Sequence, residues 1–265
     1  AKLGLWQVVM PDQQDHLVLP PADAYILGVW DPCYEDVLSP LHAMGARVGV
    51  VWTSSVGEMG FEPVELGYLR QLMQDPRIDF IWCGEPAIAD ALGEKAFYAP
   101  YPLHVTDRQA PQKSDSFTLF CPATAKKNIT NQLWASALIR QRYPTLTLHT
   151  NVPVPLELRG LLLLPSVGYS WLRRAQYHHV LAAARFSLAV SYAETFNYAV
   201  AEAILLGTPC IGSATIPFLS RLYTVENPNS PQAIAECAHM LLGRGADAAI
   251  DVEQTGDPCR LGFVA

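Results

Sequence analysis

Charge is scarce in this sequence. Only 16% of the residues are Asp, Glu, Lys or Arg, and the formal net charge is −7. In residues 1–106 the cations (Lys2, Arg47, Arg70, Arg77, Lys95) are scattered among more than twice as many acids. A general binder of nucleic acid or of an anionic lipid surface needs a cationic patch, so neither role is favoured. The cysteines, at 33, 83, 121, 210, 237 and 259, never form C-x-x-C. They read as reduced, buried thiols, not as a disulfide frame or a zinc site. There is no D-x-D, no His/Asp cluster at metal-ligand spacing, no G-x-S-x-G elbow and no G-x-x-x-x-G-K-[ST] loop, which removes the usual hydrolase and ATPase readings and leaves no expected metal. No apolar run approaches the roughly 20 residues of a membrane span. The first one, Leu3 to Met10, lacks the basic flank and cleavage site of a secretory leader, so a cytoplasmic location is expected.

Apolar residues, by contrast, make up 50% of the 265-residue chain, enough for the cores of two ordinary domains. The 21 prolines and 17 glycines punctuate short runs, as the loops of an α/β protein require. Strand-like runs (3–10, 24–30, 47–52, 79–83, 96–99) alternate with helical ones (to Met44, 63–74, 86–92). This rhythm implies a parallel sheet with right-handed crossovers. The segment 53–62, with Gly57 and Gly60, reads as a loop. Residues 100–116, PYPLHVTDRQAPQKSDS, break the rhythm with three prolines. It then restarts at strand 117–121, helix 131–141 and strand 145–149. An apolar run at 161–164, a helix over 171–184, a strand over 221–225 and a helix over 231–242 complete it. The expected organisation is an N-terminal Rossmann-like domain (1–106), a linker (107–116), a C-terminal domain (117–243) and a tail (244–265).

The most informative stretch is Phe186 to Gly212, FSLAVSYAETFNYAVAEAILLGTPCIG. Its apolar opening is bounded like a buried parallel strand. Phe196 to Leu206 has a helical apolar face, Gly207 is placed to end that helix, and Pro209 prevents its continuation. Cys210 begins the next strand. In this β-α-β unit Glu194 lies at the carboxyl end of the first strand, where doubly wound sheets bind ligands. Glu202 lies two turns up the helix among alanines and leucines, and a carboxylate there needs a partner.

The spacing Glu194-x7-Glu202, with Phe196 two residues after the first acid and the tail GTPCIGS, resembles the donor motif of nucleotide-sugar glycosyltransferases of the GT-B fold, in particular their large retaining family. The resemblance implies two Rossmann-like domains facing a cleft, here with a small N-terminal domain. It implies that Glu194 touches the donor sugar, that Glu202 holds the ribose hydroxyls, and that amides at the helix start, near Thr195, Phe196 and Asn197, meet the diphosphate. Thr195 and Asn197 stand where the family usually has glycine; both can cap a helix. The segment ATAKKNITNQL resembles the family's phosphate loop and puts Lys127 at the diphosphate lysine. The family's arginine five residues earlier is Pro122 here, and Lys126 is the candidate substitute. Over residues 1–106 only a general Rossmann rhythm matches, and the family's Gly-rich loop near the start is absent.

Other groups carry weaker implications. His16 and Asp12, in the first loop, are acceptor-side candidates, although a surface histidine is the better reading. Arg173, Arg174, His178 and His179 read as a solvated helix face. The expected activity is metal-independent transfer of a hexose-type unit from a nucleotide diphosphate sugar, with retention and no further cofactor. The acceptor is undetermined: a soluble one, bound by the loops 11–16 and 53–60, is favoured over nucleic acid. The alternatives are a nucleotide-sugar epimerase, a modified-DNA-base glycosyltransferase and a non-catalytic nucleotide-sugar-binding module.

Overall fold

The computed structural model describes residues 22–28, 35–61, 64–99, 111–156, 158, 166–170, 172–194, 196–216 and 218–243. The expected strand at 3–10, the apolar run at 161–164 and the tail 244–265 lie outside them. The described strands form two parallel sheets, one of four strands and one of six.

In the first sheet β1 (Ala24–Leu27), β2 (Arg47–Trp52), β3 (Phe80–Cys83) and β4 (Ala96–Tyr98) pair in chain order. Helices α1 (Glu35–Ala43), α2 (Val56–Phe61), α3 (Val64–Gln74) and α4 (Pro86–Leu92) lie between them in the chain. Val48, Val50, Trp52, Ile81 and Cys83 alternate inward and meet Leu38, Leu41, Leu69 and Leu72 of the helices in one buried cluster. Burying a leucine or isoleucine side chain is worth about 1.5–3 kcal/mol, so this cluster supplies most of the sheet's cohesion. Gly49 is glycine for a local reason: a Cβ there would lie 1.9 Å from the Phe80 ring, which crosses the strand at that point.

The segment expected as a loop at 53–62 contains a helix, α2. Two local bonds override its glycines. Glu58 N donates to Ser55 Oγ and Ser55 N donates to Glu58 Oε2, both at 3.2 Å. This reciprocal capping box satisfies two backbone amides that a short helix would otherwise leave open.

The second sheet has strand order β10-β9-β8-β5-β6-β7. The chain starts at β5 (Ser116–Leu119) and runs outward through α5 (Ile129–Arg142), β6 (Thr147–Thr150) and β7 (Ser166–Gly168). It then returns through α6 (Arg174–Ala183) to β8 (Phe186–Ala189) on the other side of β5, and continues through α7 (Tyr198–Leu205), β9 (Cys210–Ser213), β10 (Thr224–Val225) and α8 (Pro231–Gly243). The reversal between β5 and β8 is a topological switch point, and open α/β sheets bind ligands in the crevice such a reversal leaves at the strands' carboxyl ends. All four residues of β5, of β8 and of β9 are buried. Phe117 and Phe186 stack across the β5–β8 pair with centroids 5.0 Å apart. The buried clusters of the two sheets share no residue.

The boundary of the second sheet departs from expectation. Ser116, assigned to the linker, is already strand and pairs with Thr147. Lys113 is tied to the second sheet's helices: its ammonium donates to the carbonyls of Ala182, Ala184 and Gly207 and to Thr208 Oγ1 at 2.8–3.1 Å. The expected strand at 221–225 is a 3-10 turn over Arg221–Tyr223 followed by the two-residue β10. The four cysteines among the described residues are free thiols, three of them buried and Cys121 partly so. Among the described residues no helix is long and apolar enough to cross a membrane.

Candidate functional site

The loops that leave β5 and β8 meet at the switch point. After β5 the chain makes a 3-10 turn, Ala125–Lys127, and enters α5 through Asn128, whose φ of 52° is left-handed. Asparagine tolerates that conformation better than most residues. Here Asn128 is buried, and its Nδ2 donates to Pro228 O at 2.6 Å. The buried Gln132, one turn into α5, joins the two loops. Its Nε2 donates to Lys127 O at 2.7 Å, and its Oε1 accepts from Val190 N, just beyond β8, at 2.9 Å. Tyr192 N donates to Lys126 O at 2.8 Å, a second tie. The lysine turn and the Glu194 turn are thus held as one unit.

Within it Lys127 Nζ lies 2.6 Å from Glu194 Oε2, with side chains 12% and 4% exposed. The other oxygen of Glu194 accepts from Ser191 Oγ at 2.7 Å and from Asn197 Nδ2 at 2.9 Å. Three donors thus hold this carboxylate in place. Asn197 has a second duty as the N-cap of α7, its Oδ1 accepting from Val200 N at 3.1 Å. Phe196 is buried; its ring lies 5.0 Å from that of Phe218 and 5.1 Å from that of Tyr198, so it anchors the turn from beneath. Thr195, Asp12 and His16 lie outside the described residues.

Lys126 pairs across to the first sheet: its Nζ is 2.9 Å from Glu58 Oε1 in α2, with side chains 16% and 9% exposed. Glu85, at the start of α4, is held above the ordinary carboxylate range, first by burial and then by the charge of Glu58. Its Oε2 is buried and has no hydrogen-bond partner.

Glu202, whose burial demanded a partner, has several. Arg174 Nη2 donates to its Oε1 at 3.1 Å, and His178 Nε2 lies 3.4 Å from the same oxygen. Burial, followed by the Glu202 charge, pushes the Tyr177 phenol far above its usual range. The face of α6 expected to be solvated is therefore partly turned inward, and His178 is buried. The spacing of Arg174 and His178, four apart on a helix before the β8 strand, was the available signal. It did not reveal that Glu202 was the target.

Tyr177 also walls a cavity of about 140 Å³ together with Phe120, Asn151, Tyr169, Ser170 and Leu172. These residues come from the carboxyl ends of β5, β6 and β7 and from α6 and its approach. Phe120 meets Tyr169 and Tyr177 at centroid distances of 6.0 and 5.4 Å. Asn151 is oriented by Cys121 N, which donates to its Oδ1 at 3.0 Å, and His149 Nδ1 lies 2.8 Å from Tyr169 Oη. Sequence reasoning did not find this cavity, because its walls are one or two residues from each of four separate segments.

The cavity and the Lys127–Glu194 pair lie on loops at the carboxyl ends of this sheet's strands, and Glu202 stands on the helix α7 that leaves the Glu194 turn. Solved structures share this two-sheet architecture. Staphylococcus aureus TarM, determined with UDP, superposes with a TM-score of 0.60 at 11% identity over 86% of this chain and 53% of its own. The pneumococcal O-GlcNAc transferase GtfA, with UDP and GlcNAc, gives 0.59 at 15% identity over 86% and 52%. An E. coli protein of the trehalose-6-phosphate group, bound to UDP-2-fluoro glucose, gives 0.61 at 10% over 91% and 69%. The fold is that of GT-B glycosyltransferases, and the chain spans about half to two thirds of the length of these proteins. No protein-family model and no curated sequence matches the chain.

Proposed function

We propose that this chain binds a nucleoside diphosphate sugar at the β5/β8 switch point and transfers its sugar to an acceptor. One observation carries the reading. The carboxyl side of one sheet gathers an aromatic-walled cavity of about 140 Å³, a lysine–carboxylate pair beside a helix start and, on the helix that follows, a buried carboxylate. A flat base suits the cavity between Phe120, Tyr169 and Tyr177, with Asn151 and Ser170 as its polar edge. Ribose hydroxyls are natural donors to Glu202, which already accepts from Arg174. Phosphate oxygens suit Lys127 and the amides that open α7. Sugar hydroxyls then fall to Glu194.

The chemistry this arrangement favours is orientation plus charge stabilisation. Lys127 and the α7 dipole stabilise the negative charge that grows on the leaving diphosphate. Glu194, clamped by Ser191 and Asn197, holds the sugar without rearranging. Retention of configuration follows from the family resemblance, with the leaving diphosphate assisting deprotonation of an acceptor that attacks from the same face. A second reading, a non-catalytic nucleotide-sugar-binding module, is favoured by Pro122 in place of the family's arginine and by the engagement of both lysines with carboxylates.

Titration and turnover separate these. Glu202→Gln should weaken free nucleotide and donor alike, by roughly ten- to a hundredfold, the worth of a charge-assisted hydrogen bond. Glu194→Gln should spare free nucleotide and depress sugar transfer. Both variants binding nucleotide like wild type would rule out this donor site, and tight donor binding without turnover on any acceptor would favour the module.

A further inference from the structure

The two lysines of the β5 turn are engaged by carboxylates of different standing. Glu194 belongs to the same sheet and is fixed in its own turn by Ser191 and Asn197. Glu58 comes from the first sheet. One of its oxygens closes the capping box of α2 and the other reaches Lys126. The pair is well buried, where a charge separated from its partner is costly unless another replaces it. Two further contacts seat α2 on the Glu194 turn. The Phe61 ring lies nearly parallel to that of Tyr192, 11° between planes and 6.3 Å between centroids. Gly57 approaches so closely that a Cβ there would lie 3.3 Å from the Cβ of Ala193.

We propose that Glu58 is an internal stand-in for a phosphate group: α2 docks on Lys126 through Glu58, and a diphosphate binds by taking Lys126 from Glu58 and releasing α2. The inference rests on reading the lysine turn as the diphosphate seat. An anionic oxygen within hydrogen-bond reach of a lysine at a phosphate-binding turn occupies the place of the ligand's own oxygen. A phosphate approaching Lys126 meets the like charge of Glu58 and displaces it. A monophosphate satisfied by Lys127 alone leaves Glu58 in place. The contact thereby favours diphosphates that reach both lysines and couples their binding to the position of the first sheet.

The test is titration calorimetry on the whole chain with inorganic pyrophosphate, UDP and UMP, comparing wild type with Glu58→Gln, Phe61→Ala, Lys126→Ala and Lys127→Ala. Glutamine keeps the capping box, so α2 is retained in Glu58→Gln. That variant is expected to bind pyrophosphate and UDP on the order of ten-fold more tightly, the worth of one charge-assisted hydrogen bond, with UMP little changed. Phe61→Ala, which loosens α2 without touching the lysines, should move in the same direction. Lys126→Ala should cost more affinity in the Glu58→Gln background than in wild type, a non-additivity that marks competition for one group. Pyrophosphate binding no tighter in Glu58→Gln than in wild type overturns the proposal. A pyrophosphate response with no nucleotide binding in any variant keeps Glu58 as the stand-in and removes the nucleotide-sugar reading. UDP binding that Lys127→Ala weakens and Glu58→Gln leaves unchanged does the reverse.

Discussion

At the scale of single residues, what a carboxylate can do here is decided by the groups beside it. Glu194 has Lys127 and two further donors, Glu202 has Arg174, and Glu58 has Lys126. Glu85 alone of these four has a buried oxygen with no partner. Burial and the neighbouring Glu58 charge raise its pKa, so the folded state keeps the proton longer than the unfolded chain does. Its contribution is fully present below the usual carboxylate value of about 4.3 and is lost as pH rises through the raised folded value. Glu85→Gln should therefore raise the melting temperature at pH 7 relative to wild type, and the gap should close towards pH 4. Thermal melts across that range check this, and a gap that does not change with pH would count against it.

At the scale of elements, two short devices position the site from outside it. One is the Ser55–Glu58 capping box, which makes a helix of a glycine-bearing segment and sets the carboxylate that meets Lys126. The other is Lys113, whose ammonium gathers carbonyls from the carboxyl ends of α6 and α7. Helix carboxyl ends carry unsatisfied carbonyls and partial negative charge, so a cation shared between two of them stabilises both. Because α6 bears Arg174 and α7 bears Glu202, this staple also sets their mutual position. Lys113→Met should cost about 1–3 kcal/mol of stability, the penalty for leaving such acceptors unsatisfied. It should also weaken nucleotide binding without altering the Lys127 turn. Denaturant unfolding and UDP titration measure the two effects, and an unchanged midpoint would contradict the role.

Across the whole molecule cations are few, and three of them gather at one place. The chain has 18 Lys and Arg in 265 residues, and three of them, Lys126, Lys127 and Arg174, each pair with an acid at or beside the switch point. Among the described residues no group of three or more His, Cys, Asp or Glu has the arrangement to hold a metal ion. In the proposed function the diphosphate charge falls to the lysines and the helix-start amides. Donor-dependent turnover should persist in chelating buffer and fall strongly in Lys127→Ala. Turnover lost in chelator and restored by magnesium or manganese would contradict this division of labour.

Much of the second sheet was legible in the sequence. Gly207 and Pro209 mark the end of α7, and the apolar runs at 186–190 and from Cys210 mark β8 and β9, because caps, breakers and burial patterns act over a few residues. The strand Arg47–Trp52 and the helix Pro86–Leu92 came out with their observed bounds for the same reason. The α2 helix was obscured by Gly57 and Gly60, although Ser55-x-x-Glu58 was the signal for it. What the sequence determined alone was local: which segments are strands and helices, that Glu202 requires a partner, and that Glu194 stands at a strand's carboxyl end. Strand order, and with it the switch point between β5 and β8, belongs to the tertiary structure. So do the choice of Arg174 for Glu202, 28 residues away, and of Glu194 for Lys127, 67 residues away. Residues so distant are brought together by the packing of whole elements, and no pattern within a few turns of chain encodes which pair will meet.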